Sequence, residues 1–144
     1  DNISFIEGIY FEDVPWSFAL FSGIGKYVQI DAPLDWYYIN PTATMRSDWS
    51  DEKTRRYIEV IRAVDAYTKA HRPNDWKRVQ KLALNQRVKM ILNRLGKTPA
   101  AHRAEAYAFA AREIGKLYDE GIVSYAGLKL KHRFALWKLL RSRK

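Results

Sequence analysis

Apolar positions fall in short clusters over the first third of the chain and recur at helical spacing beyond residue 47. Residues 3 to 11 carry Ile3, Phe5, Ile9 and Phe11 with Gly8 among them, which predicts short extended pieces and a turn. From Val14 the pattern changes. Phe18 and Phe21, with the small residues Ala19, Ser22, Gly23 and Gly25, predict a helix ending near "GIGK", where glycine suits a helix stop. Asp13 is placed to cap that helix, and Pro15 is tolerated in a first turn. In "KYVQIDAPL", Val28 and Ile30 alternate with Gln29 and Asp31, the period of a strand, and Pro33 limits it. "DWYYINPT" reads as an extended aromatic segment closed by a turn at Asn40-Pro41.

The remainder reads as helix. Ser50 caps a segment opened by Asp51 and Glu52, with Tyr57, Ile58, Ile61, Val64 and Tyr67 on one side. Pro73-Asn74 breaks it and starts another, with Val79, Leu82, Val88, Ile91, Leu92 and Leu95, stopped by Gly96. Thr98-Pro99 is a start signal, a capping residue followed by proline at the first helical position. The helix after it uses Ala104, Tyr107, Ala111, Ile114 and Tyr118 and ends at Gly121. A linker through Gly127 leads to the tail "KLKHRFALWKLLRSRK". The predicted fold is mainly α with a few short strands in the first third, divided into residues 1–47 and a helical region 48–144.

At 144 residues the chain has room for one domain with a real core, and 47% hydrophobic content argues against disorder. It has no cysteine, which removes disulfides and thiolate metal sites. No apolar run approaches the ~20 residues of a membrane span. The chain opens on Asp1 and enters a strand-like run at once, so part of a larger protein is expected. Charge divides the two regions. Residues 1 to 44 hold one basic residue, Lys26, and six acidic ones, a balance of −5; the other 24 basic and 10 acidic residues give +14. The second region is therefore drawn to polyanions or anionic surfaces and the first is not.

Against that balance, the adjacent carboxylates Glu12-Asp13 call for an account. Acidic residues ahead of a helix commonly satisfy its free N–H groups and its positive dipole end. The surrounding order of motifs adds a second reading. Glu7-Gly8, Glu12-Asp13 and Pro15-Trp16, then Pro33-Leu34, Trp36-Tyr37 and Asn40-Pro41, resemble the second half of family-two glycosyltransferases of the GT-A type. The likeness covers residues 3 to 47.

That resemblance implies the carboxy-terminal half of a GT-A-like α/β domain followed by a helical extension. It implies a hexosyltransferase of surface polysaccharide or glycan synthesis, cytoplasmic and at the inner face of the cell membrane. The donor is a nucleotide-sugar and the acceptor a saccharide or lipid-linked hydroxyl. By position in the motif, Asp13 is the base that deprotonates the acceptor, and Glu12 orients it or contacts the acceptor. Glu7, Trp16, Trp36 and Tyr37 are the substrate-binding candidates, although the plainer role of Tyr37 and Tyr38 is packing between strand and helix. A divalent metal, Mg or Mn, is expected in the complete enzyme, bound by an amino-terminal half that this chain lacks, with no metal ligand in the chain itself and no activity from it alone. The family's arginine after the tyrosines is here Tyr38, and the serine of the following turn is replaced near Ala43. The "QxxRW" of processive members does not occur, which implies transfer of a single sugar.

His71, His102 and His132 show no ligand spacing and read as surface residues. There is no G-x-S-x-G nucleophile turn, and "SGIGK" lacks the spacing of a phosphate loop. The tail from Lys129 to Lys144 has seven Lys or Arg residues and no acid, with Leu130, Phe134, Leu136, Trp137 and Leu140 on a broad apolar arc. Such a helix either lies on an anionic bilayer or docks on the domain through Phe134 and Trp137. Two rival readings stand beside the transferase: a basic helical nucleic-acid-binding module, and a peripheral membrane or protein-interaction module without catalysis.

Overall fold

The computed structural model describes residues 5–8, 11–33 and 49–143. Among them the order is α1 (Asp13–Gly23), α2 (Asp51–His71), a short 3-10 turn (Pro73–Asp75), α3 (Trp76–Val79), a π-turn (Gln80–Leu84), α4 (Asn85–Leu95), α5 (Ala100–Asp119) and α6 (Leu130–Arg141). The protein is mostly helical, as the spacing of its apolar residues predicts.

The central rod is α2. The Ser50 hydroxyl accepts the Lys53 N–H at 3.3 Å, Asp51 and Glu52 occupy the first turn, and Lys69 and His71 the last, so both dipole ends meet favourable charge. Tyr57, Ile58, Val60, Ile61 and Val64 are buried along it. The other helices gather around α2: α1, α4 and α5 touch it, and α6 closes over α4 and α5. Ile61, Val88, Ile91, Leu95, Ile114, Leu117 and Leu136 are enclosed at their meeting point. Each such side chain contributes about 1.5–3 kcal/mol by leaving water.

Stops are set by local chemistry. α5 ends as Gly121 takes a φ of +72°; its N–H donates to the Tyr118 carbonyl at 3.0 Å, and the Ile122 N–H to the Leu117 carbonyl at 2.9 Å. That pair of bonds satisfies carbonyls the helix leaves open. Gly96 follows α4 as expected. The π-turn, unforeseen from the sequence, packs against Gly127; a Cβ there would lie 2.8 Å from the Lys81 carbonyl oxygen.

Several expectations are corrected. Among the described residues there is no strand. Residues 26–33 form no regular structure, with Val28 and Ile30 89% and 65% exposed, because an alternating pattern needs a neighbouring strand and none lies beside it among the described residues. The extended segment expected at 35–42 lies outside the described residues. Glu12, not Asp13, is the residue preceding α1, and its side chain makes no capping bond. Thr98 does not cap α5 either: Pro99 precedes the helix, and the buried Thr98 hydroxyl has no partner among the described residues. The first half of α5 turns Ala106 and Ala110 inward, leaving Ala104 and Tyr107 exposed, and Leu82 is also exposed. Small side chains let α5 approach its neighbours closely, whereas Tyr107 would hold them apart. His132, expected at the surface, is buried.

Candidate active site

The site is built on α1. Phe11, just before the acidic pair, has a φ of 60°, a conformation that costs a non-glycine residue about 1–2 kcal/mol. Its ring packs on Tyr57 of α2 with centroids 4.8 Å apart, which holds the turn in place. The Phe11 carbonyl then accepts the Val14 N–H at 3.0 Å, and the chain enters α1 with Asp13 as its first residue. Pro15 is third, where its missing N–H breaks no helical bond.

Among the helices, α1 packs on α2 alone. Ala19 is buried, Phe18 meets Tyr67 edge-on at 6.2 Å, and Arg72 Nη1 donates to the Ser22 carbonyl at the end of α1. Since α1 leans on α2 and not on α4, a gap opens between them. It is a cleft of about 870 Å³ whose lining includes Val14, Phe18, Val64, Leu82 and Met90. Asp13 lines it and is itself exposed. So do Arg72, Arg78 and Arg87. Arg72 is engaged with Asp75 at 2.7 Å, while Arg78 and Arg87 have no carboxylate partner among the described residues. The arrangement can receive a partly apolar ligand that carries an anionic group, with one carboxylate at its edge.

The predicted site residues do not all converge. Glu12 is exposed beside Asp13 but outside the cleft. Glu7 is exposed in a turn with Gly8. Trp16 is half-buried and stacks on Phe5, centroids 5.0 Å apart and planes 9° from parallel, also away from the cleft. Trp36 and Tyr37 lie outside the described residues. The three arginines were missed. A signal for two of them existed, since the chain holds no acidic residue from Trp76 to Lys97 while carrying seven cations, which leaves Arg78 and Arg87 short of partners. Among the described residues no group of three or more His, Asp or Glu side chains gathers to hold a metal ion. No described helix is long and apolar enough to cross a membrane. Compared with known protein families, with curated proteins and with solved structures, the chain finds no match.

Proposed function

We propose that this chain forms the acceptor side of a GT-A-type sugar transferase, with Asp13 as the base of an inverting transfer. One observation carries the reading: the carboxylate singled out by its motif lies at the mouth of a helix and on the edge of a cleft of ligand size. The acceptor would enter between α1 and α4, its hydroxyl directed at Asp13. As that oxygen forms a bond to the anomeric carbon, the bond from the carbon to the nucleotide diphosphate breaks on the opposite face. The hydroxyl proton passes to the Asp13 carboxylate. Nucleotide-sugar and divalent metal would be held by the amino-terminal half of such an enzyme. Phe11 supports the assignment from outside the chemistry, as backbone strain gathers where a side chain must be aimed.

The test is made in the complete enzyme that carries this chain, supplied with nucleotide-sugar and a saccharide or lipid-linked acceptor. Asp13→Asn is expected to lower kcat about 10²–10⁴-fold, the usual share of a general base. The melting curve should not change, since Asp13 is exposed and no described residue pairs with it. Turnover at the wild-type rate by that variant overturns the reading.

A further inference from the structure

The tail helix meets the domain by a different face from the one its sequence suggests. α6 buries His132, Leu136, Leu139 and Leu140 against α4 and α5. Beyond its end, Arg143 clasps Asp119 of α5 through two hydrogen bonds of 2.7 and 3.0 Å. Docking in this register turns Leu130, Phe134 and Trp137 outward, 82%, 62% and 43% exposed. They stand at i, i+4 and i+7, a single stripe along the helix. Phe134 and Trp137 stack at 5.5 Å, and the Arg141 guanidinium lies over the Trp137 ring at 4.9 Å.

The stripe is bordered by cations. By helical geometry Lys131 and Lys138 flank it on one side and Arg133 on the other, all three exposed. No acidic residue occurs from Lys129 to Lys144. We propose that this outer face of α6 lies flat on an anionic phospholipid bilayer. The rings and Leu130 would sit at the level of the headgroups, and the cations would contact lipid phosphates. Aromatic rings favour that boundary because it offers apolar and polar surroundings at once. Charge selects this occupant over the others. A second copy would bring one cationic border against another, and a nucleic acid would leave the apolar stripe without a partner. The helix is also held firmly from behind, so the stripe needs no refolding to be presented. This inference is independent of the transferase reading and is tested without any sugar.

The full chain is co-sedimented with vesicles of phosphatidylcholine, and with vesicles in which phosphatidylglycerol replaces part of it. Binding is expected to the anionic vesicles, at least about tenfold weaker to the neutral ones, and to fall as salt is raised. Phe134→Ser with Trp137→Ser is expected to weaken it by about tenfold or more. Lys131→Glu with Lys138→Glu, which leaves the rings untouched, weakens it by about thirtyfold or more. Circular dichroism checks that each variant remains folded. Equal binding to both vesicle types, or binding unchanged by the charge reversal, overturns the proposal. So does a dimer in sedimentation equilibrium that the serine variant dissolves, or a nucleic-acid affinity that the charge reversal removes while vesicles are ignored.

Discussion

Asn85 and Ser124 hold each other through two hydrogen bonds: the Asn85 Oδ1 accepts the Ser124 N–H at 2.9 Å, and the Asn85 Nδ2 donates to the Ser124 hydroxyl at 3.3 Å. The same amide nitrogen donates to the Ala126 carbonyl at 2.7 Å, and Asn85 is fully buried. The segment between α5 and α6 has no regular structure of its own, so its buried backbone groups depend on side chains of the neighbouring helix. Gln80 serves the Gly121 carbonyl at 2.7 Å in the same way.

From this follows a stability prediction. Asn85→Ala strands a buried N–H and a carbonyl, which costs about 2–3 kcal/mol and lowers Tm by roughly 5–10 °C. Asn85→Asp keeps the shape but turns a donor into an acceptor facing the Ala126 carbonyl, and it should do no better than alanine. Thermal melts read both. Wild-type stability in the aspartate variant would show that the Ala126 carbonyl does not depend on the Asn85 N–H.

Asn85 also shows where sequence reading stops. It falls on the apolar side of α4 among Val88, Ile91 and Leu95, yet a polar letter in a helix gives no hint that it is enclosed. Punctuation was legible: Ser50, Pro73, Gly96 and Gly121 mark ends because capping and forbidden backbone conformations are local effects. Orientation was not. Leu136 and Phe134 are equally apolar on paper, and only the docking of α6 on two other helices decides which is covered. Val28 and Ile30 alternate as a strand would, but strand formation belongs to a pair of segments and not to one. For the site, position in a motif picked out Asp13, whereas the cleft beside it depends on α1 missing α4, a tertiary fact. Arg72 joins that cleft from the far end of α2, which spacing along the chain does not reveal.

Three glycines give a graded test of backbone against space. At Gly127 the φ is +74°, and an added Cβ would sit 2.8 Å from the Lys81 carbonyl oxygen. Gly127→Ala combines strain with a clash against backbone and is expected to cost about 2 kcal/mol or more. Gly121, at +72° but with open space, should lose about 1 kcal/mol on the same change. Gly23, the last residue of α1, has neither obstacle, so Gly23→Ala is expected to be neutral or to gain about 0.5–1 kcal/mol. Urea titration of the three variants should preserve that order. An alanine at 127 that costs no more than one at 121 would remove the close packing of the π-turn as its cause.

The start of α3 is fixed by a buried carboxylate. Asp65 of α2 accepts the Trp76 indole N–H at 2.7 Å and the Lys69 ammonium at 2.8 Å. Lys69 also lies over the Trp76 ring, 5.5 Å from its centre. Asp65→Ala should cost about 1.5–3 kcal/mol, and Trp76→Phe about 1–2, the second by leaving one carboxylate oxygen without its donor. Since the two side chains touch, the double variant should cost measurably less than the two separate losses together. Asp75 precedes Trp76 and Arg78 and Val79 follow it, and all three line the cleft, so under the proposed transferase reading the KM for acceptor should rise with the loss of this clasp. Additive losses in denaturant melts would count against it.

A pH dependence follows from His132, packed between α6 and α4. Its Nε2 lies 3.1 Å from the Asn93 Oδ1, while the buried Nδ1 has no partner among the described residues. The neutral ring donates from Nε2 and leaves Nδ1 bare; the charged ring would bury a second N–H with nothing to accept it. Burial therefore pushes the imidazole below its ordinary value of 6.5, and Lys131, Lys89 and Lys129 push in the same direction. When unfolded, the ring takes up a proton near 6.5, while the folded protein resists it. Stability is thus complete above that value and is lost as the pH falls through it towards the lower folded one. His132→Gln, whose amide can still donate to Asn93, should melt with a shallower slope between about pH 7 and 5 than the wild type. His71 and His102 are exposed and common to both proteins, so the difference isolates the buried ring. Parallel slopes in the two proteins would mean that His132 takes up its proton as readily folded as unfolded, and that α6 is not held against α4 by a neutral ring.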